Sequence, residues 1–171
     1  VPPGGGWSQA LDRLYCLPLG DGTGYTCCLL SAVDGTGDSI AGVVPLTVKA
    51  ENIVLDTVHN RLYFTYASSG SGCVGVVDCA RNVVTSYEYG GANPRAICYN
   101  PDNDKLYWGS AGQPMTVYDC STNTKVKKVN ASGDVRAMRL HLGLNKLHAL
   151  SYVSQSGPVI DVIDCERDSI I

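Results

Sequence analysis

A four-residue motif occurs four times along the chain and constrains its fold more than any other feature. The motif reads [Asp/Asn]-[Arg/Lys]-Leu-[Tyr/His], and its copies begin at Asp12, Asn60, Asp104 and Asn145, at intervals of 48, 44 and 41 residues. We call this motif the kernel. A repeat with a period of about 40–50 residues is typical of an array of similar structural units.

A second motif follows each kernel and keeps the same period. It reads Asp-x-x-x-[Asp/Asn] and begins at Asp34, Asp78, Asp119 and Asp164. We call it the turn motif, because an Asp side chain in a turn accepts hydrogen bonds from nearby backbone N–H groups. A feature found in every repeat builds the repeat, so we do not interpret these aspartates as a catalytic series.

The third repeat divides into four short apolar or alternating segments: "RAICYN", "KLYWGSA", "MTVYD" and "KVKKV". Turn residues separate them, with Pro101 after the first and Gly112 after the second. One Phe and ten Tyr, with many β-branched residues, favour strands. Four antiparallel strands in a unit of this length are typical of a β-propeller blade. We therefore predict an all-β fold, a single β-propeller region over residues 1–171, with about four blades at 7–48, 50–90, 91–132 and 134–171.

Residues 91–129 resemble a YVTN-type β-propeller repeat. The shared features are a Pro before the first strand, Asn100-Pro101 after it, Asp104-Lys105-Leu106-Tyr107, Val117-Tyr118-Asp119 and the Thr122-Asn123 turn. Residues 50–90 and 134–171 match less fully and lack the Asn-Pro, and the first repeat matches only at its two motifs. The resemblance implies a propeller in a secreted or surface-layer protein, hence an extracellular, cell-surface or periplasmic location. Relatives of the propeller also occur in redox enzymes and a lyase.

Composition excludes several classes of function. The net charge is −3, whereas a nucleic-acid surface is normally basic, so we predict no nucleic-acid partner. No apolar run reaches about 18 residues, so we predict no membrane span. The eight Cys form no CxxC pair and the three His form no HxH or HxxxH pair, so we predict no metal and no cofactor.

Three of the Cys follow the first Asp of a turn motif, at positions 79, 120 and 165. We expect them to be small buried thiols rather than ligands. Cys16 is a candidate for a disulfide with Cys27 or Cys28.

Ligands of propellers usually meet the loops around the central channel. The corresponding residues are Arg95, Arg136, Glu51, Asn93, Asp134, Gln113, Lys49, Asp21, Ser71 and Gln155. Arg95 and Arg136 lie at equivalent positions. They either form part of a cationic ring for an anionic ligand or pair with Glu51, Asp134 or neighbouring carbonyls. Asn130-Ala131-Ser132 is a glycosylation sequon, so Asn130 is a candidate glycosylation site.

Two functions remain open from the sequence. The first is a secreted or cell-surface module that binds an unknown protein or glycan or has a structural role. The second is a propeller-type enzyme domain, a lyase or a redox-cofactor-associated domain. No GxSxG or similar context marks a catalytic residue, so we predict none and favour the first.

The closure of the propeller is a further expectation. The chain begins within the first strand of one blade and ends early in the last strand of another. We therefore expect an incomplete ring with apolar end faces. Further blades of the same longer chain, or a second copy, would cover these faces and serve as partners.

Overall fold

The computed structural model describes residues 5–9, 11–17, 29–68 and 71–171, and in these ranges the chain forms sixteen strands. Blade 1 has β1 (Gly5–Ser8), β2 (Arg13–Cys16), β3 (Leu29–Asp34) and β4 (Ile40–Pro45). Blade 2 has β5 (Ala50–Asp56), β6 (Arg61–Ser68), β7 (Ser71–Asp78) and β8 (Val83–Gly91). Blade 3 has β9 (Pro94–Asn100), β10 (Lys105–Ser110), β11 (Gln113–Asp119) and β12 (Thr124–Val129). Blade 4 has β13 (Asp134–His141), β14 (Lys146–Val153), β15 (Gly157–Asp164) and β16 (Ser169–Ile170).

Each blade is an antiparallel sheet whose four strands lie side by side in chain order. The predicted all-β propeller architecture is therefore confirmed, and the four segments of the third repeat correspond to β9–β12. One detail differs, because β1 starts at Gly5, two residues before the predicted start of blade 1. The Gly-rich middle of the first repeat, residues 18–28, lies outside the described residues. A short 3-10 turn, Leu142–Leu144, precedes β14, and no helix in the described ranges has the length and apolarity needed to cross a membrane.

The first residue of each kernel has a left-handed backbone. Its φ is 48° at Asp12, 54° at Asn60, 54° at Asp104 and 48° at Asn145. Asn and Asp adopt this conformation more readily than other residues with a side chain, since their short polar groups bond locally. The left-handed turn into the second strand therefore explains why this position is always Asp or Asn.

The turn motif forms the turn between the third and fourth strands of each blade. In blade 3, Asp119 Oδ1 accepts hydrogen bonds from the backbone N–H groups of Ser121 and Thr122, both at 2.9 Å. The equivalent carboxylates of Asp34, Asp78 and Asp164 accept the same two bonds. The last residue of the motif has φ of 48–55° in all four blades. The predicted turn role of these aspartates is confirmed.

The hydrophobic core lies between blades rather than within them. Three buried clusters join blades 1 and 2, blades 2 and 3, and blades 3 and 4. Cys79, Cys120 and Cys165 each lie in one of these clusters, with side chains that are fully buried and not cross-linked. Their predicted burial is confirmed. Cys27 and Cys28, the two candidate disulfide partners of Cys16, lie outside the described residues.

The face of blade 4 that points away from blade 3 remains exposed. Leu150 and Ile160 pair across β14 and β15 and are 40% and 64% exposed. Gly109 and Met115 occupy the equivalent positions of blade 3 and are buried under blade 4. No hydrophobic cluster of the described residues joins blade 4 to blade 1, so these residues form an open arc, as expected.

Candidate functional site

The predicted ligand-binding residues lie on or near the inner strands. The first strands of the four blades pack against one another in series, so they line the side nearest the axis. The Arg95, Arg136, Glu51 and Gln113 side chains are exposed, and those of Asn93 and Asp134 are half-buried. Lys49, Ser71 and Gln155 are also exposed, and Asp21 lies outside the described residues.

Two of these residues, Gln113 and Asp134, line a cleft of about 370 Å³ between blades 3 and 4, together with Asn130. Asp134 Oδ1 accepts a hydrogen bond from Gly112 N at 2.7 Å, and Asp134 Oδ2 lies 3.2 Å from Arg136 Nη2. The structure thus brings Gln113, Asp134 and Arg136 together. Arg136 therefore pairs with Asp134, which is one of the two roles expected for it from the sequence.

Arg95, Glu51 and Asn93 do not line this cleft. The Arg95 backbone carbonyl accepts a hydrogen bond from Asn52 Nδ2 at 2.6 Å, while its guanidinium forms no ion pair with the described residues. Asn93 has a φ of 50° and turns the chain into β9. A role for these three residues in ligand binding stays a prediction.

Asp161 supports the cleft from behind and was not identified from the sequence. Its side chain is buried and accepts hydrogen bonds from Ser132 N at 3.0 Å, Ser132 Oγ at 2.5 Å and Ser151 Oγ at 2.5 Å. Burial opposes ionisation of Asp161, but the bonds from Ser132 and Ser151 outweigh it and hold its pKa below the usual value. The network anchors the loop that follows the exposed Asn130. The sequence offered one signal for Asp161, which is its position within the apolar segment "VIDVID".

The kernels bond to the turn motif of the next blade. Tyr15 Oη lies 2.9 Å from the Cys79 carbonyl oxygen and 3.2 Å from Asn82 Oδ1. Tyr107 Oη lies 2.6 Å from Asp168 Oδ1, and Lys105 Nζ lies 2.5 Å from Asp168 Oδ2. Because each of the first three kernels contacts the turn motif of the following blade, the two motifs keep a common period.

The interface of blades 2 and 3 makes this contact differently. Arg61 Nη1 donates to the Cys120 carbonyl oxygen at 3.2 Å and to Asn123 Oδ1 at 2.7 Å. Tyr63 packs in the same buried cluster as Cys120, and its buried hydroxyl has no hydrogen-bond partner among the described residues. Burial raises the pKa of Cys120 to about 12 and also raises that of Tyr63.

Each interface also contains a polar pair between the end of one first strand and the next kernel. Ser8 Oγ donates to Asn60 Oδ1 at 3.1 Å, and Asn100 Nδ2 donates to Asn145 Oδ1 at 2.8 Å. The corresponding residues of blades 2 and 3 are two carboxylates, described next.

These carboxylates, Asp56 and Asp104, form a cluster with Cys120. One ligand atom from each of the three residues lies within 4.8 Å of the others. His59 Nδ1 lies 3.0 Å from Asp56 Oδ2 and 3.4 Å from Asp104 Oδ1. Among the described ranges, this is the group of residues with the donors and proximity to hold a metal ion.

Four serially packed, four-stranded blades define the chain as a β-propeller region, and solved structures agree. Hydrazine synthase of Kuenenia stuttgartiensis superposes with a TM-score of 0.82 at 22% identity, over 99% of this chain and 47% of that one. The WD40 repeats of RRP9 superpose with a TM-score of 0.74 at 9% identity, over 100% of this chain and 51% of that one. The chain thus spans about half the length of both.

At these identities the likeness shows the propeller fold alone. No protein-family model matches the chain, and no curated protein sequence matches it.

Proposed function

We propose that the chain is an interaction module of a secreted or cell-surface β-propeller of the YVTN type, which docks a further blade and binds a protein or glycan ligand. The third repeat supports the family, and the exposed Asn130 sequon supports an extracellular location. The cleft with Gln113, Asp134 and Asn130 is the proposed ligand surface.

The open face of blade 4 is the observation that carries this proposal. We define it as Ala137, Arg139, His148, Leu150 and Ile160, which line a shallow apolar depression of about 180 Å³. Exposed apolar surface on a sheet favours docking of a partner. The equivalent face of blade 3 is covered by blade 4, so the partner that fits this face is another blade.

The polar residues beside the open face indicate which blade would dock. Lys146 occupies the position of Lys105, which pairs with Asp168 at the end of the next turn motif. The turn motif of blade 1 ends at Asp38, which is exposed. Blade 1 of a second copy therefore offers Lys146 a carboxylate at the required position, and we take it as the partner of the isolated chain.

The alternative function, a propeller-type lyase or redox-associated enzyme domain, rests on analogy between folds. Hydrazine synthase is an enzyme by name, but at 22% identity it shares only the propeller fold with this chain. We therefore retain the interaction module as the proposed function.

Light scattering after size exclusion, over a range of concentrations, tests the docking. We expect the wild-type chain to self-associate and the double variant Leu150→Lys/Ile160→Lys to remain monomeric, because two lysines would bury unpaired charges. Val126→Lys is the matched control, since Val126 is 49% exposed on the fourth strand of blade 3. Equal masses for the wild type and the double variant at every concentration would contradict the proposal.

A further inference from the structure

The interfaces between blades provide an internal comparison at one pair of positions. The pair is Ser8 and Asn60 in the first interface and Asn100 and Asn145 in the third, and both pairs form direct hydrogen bonds. In the second interface it is Asp56 and Asp104. Two carboxylates cannot donate to each other when ionised, and their charges repel.

Neighbouring groups donate hydrogen bonds to this pair but add little positive charge: Val58 N and His59 N donate to Asp56 Oδ1, both at 2.9 Å, and Tyr99 Oη donates to Asp104 Oδ1 at 3.0 Å. Asp56 is fully buried, and a buried carboxylate needs a positive partner. His59 can supply one positive charge for two carboxylates. The guanidinium of Arg61 bonds instead to Cys120 O and Asn123 Oδ1. A divalent cation would supply the missing charge.

An unpaired hydroxyl points independently to the same place. Tyr63 is 1% exposed and packs in the same buried cluster as Cys120. The equivalent hydroxyls of Tyr15 and Tyr107 have partners, whereas that of Tyr63 has none among the residues that the structure describes. A buried donor without an acceptor is costly. A metal-bound thiolate at Cys120 would be a strong acceptor for this hydroxyl.

We infer that the interface of blades 2 and 3 is a binding site for a divalent metal ion of the zinc class, with Asp56, Asp104 and Cys120 as ligands. Tetrahedral ligands with bonds of about 2.0 Å are separated by about 3.3 Å. The ligand atoms of Asp56, Asp104 and Cys120 lie within 4.8 Å of one another, so small side-chain rotations would bring them to this separation.

The donor set selects the kind of metal. A thiolate with two carboxylates suits zinc and similar transition ions, whereas calcium and magnesium take oxygen ligands. On binding, the metal displaces the Cys120 proton to solvent, and the Tyr63 hydroxyl then donates to the sulfur as an outer-shell group. The site joins two blades, so its first role is to hold them together.

Metal titration of the chelator-treated protein tests this assignment. We expect one zinc ion per chain, and with cobalt(II) we expect a thiolate-to-metal charge-transfer band in the near ultraviolet. Cys120→Ser should abolish that band. Asp56→Asn/Asp104→Asn reproduces the amide pair of Asn100 and Asn145, so it should fold, as circular dichroism would show, and lose stoichiometric binding.

Cysteines at the equivalent positions of the other interfaces provide the controls. Cys79→Ser and Cys165→Ser should keep one metal per chain and the cobalt band. Tyr63→Phe should keep the band but weaken binding by about 10–100-fold, as loss of an outer-shell partner does. Less than one metal per wild-type chain, or a cobalt band that survives in Cys120→Ser, would overturn the site.

Discussion

Tyr15, Tyr63 and Tyr107 occupy the same position in three kernels, but their hydroxyls have different surroundings. Burial raises the pKa of Tyr15 to about 12 and raises that of Tyr107 as well, so both remain neutral donors at physiological pH. Tyr107 donates to Asp168, which is itself buried, whereas the Tyr63 hydroxyl has no partner within the described part of the chain. The contribution of the kernel tyrosine hydroxyl to stability therefore differs between interfaces of the same chain.

This difference predicts unequal effects of two identical substitutions in the metal-free protein. Tyr107→Phe leaves the buried Asp168 without one of its donors, so we expect the free energy of unfolding to fall by about 1–3 kcal/mol. Tyr63→Phe removes an unpaired hydroxyl, so we expect little change or a small gain. Urea denaturation of both variants measures this difference, and equal losses would contradict it.

Some residue roles could be read from the sequence and others could not. The recurrence of Asp or Asn at the first kernel position indicated a special backbone, and all four residues have positive φ. The cluster of Asp56, Asp104 and Cys120 was not predicted, because its members come from two blades and follow no local spacing. Sequence periodicity shows what repeats share, whereas this cluster depends on how one interface departs from the others.

At the scale of the element, the turn motif joins two requirements in five residues. Its first Asp accepts two backbone hydrogen bonds, and its last residue has positive φ. In blade 1 the last residue is Asp38, with a φ of 48° and an exposed side chain. Because the Asp38 side chain is exposed, a substitution there tests the backbone preference without changing the packing of the core.

Two substitutions that remove the same charge test the backbone preference. Asp38→Asn keeps a residue that tolerates a left-handed backbone, so we expect it to retain nearly all of the stability. Asp38→Val places a β-branched residue at positive φ, and we expect a loss of about 1–2 kcal/mol relative to Asp38→Asn. Chemical denaturation provides the comparison, and equal stabilities would show that this φ does not determine the choice of residue.

The strands themselves were predictable because each segment ends at a turn residue and the pattern occurs four times. The register was less accessible. β10 and β11 shift register between Trp108 and Ser110, and β13 and β14 shift between Val135 and Ala137. Such bulges arise from local twist and packing, to which a pattern of apolar residues is insensitive.

At the scale of the whole molecule, the described blades form a linear series. Each buried cluster contains residues of two neighbouring blades. In repeat arrays of this kind, stability is approximately the sum of the units and their nearest-neighbour interfaces. A defect at one interface should therefore loosen the adjacent blades and leave distant blades protected.

Gly109 provides a test of this arrangement. It faces blade 4, and a Cβ at this position would lie 2.4 Å from Val135 Cβ and 2.7 Å from Val135 Cγ1. Gly109→Ala therefore forces blades 3 and 4 apart, and overpacking of this kind costs about 1–3 kcal/mol. Gly143→Ala is the control within blade 4, because its nearest side-chain atom, His141 Cε1, lies at an ordinary 3.7 Å.

Hydrogen exchange detected by mass spectrometry resolves the response of each blade. For Gly109→Ala we expect faster exchange in residues 94–171 and nearly unchanged exchange in residues 29–68, since the cluster of blades 1 and 2 shares no residue with the altered interface. Gly143→Ala should leave both regions close to the wild type. If Gly109→Ala accelerates exchange equally in all four blades, the blades unfold as one cooperative unit and the nearest-neighbour description fails for this protein.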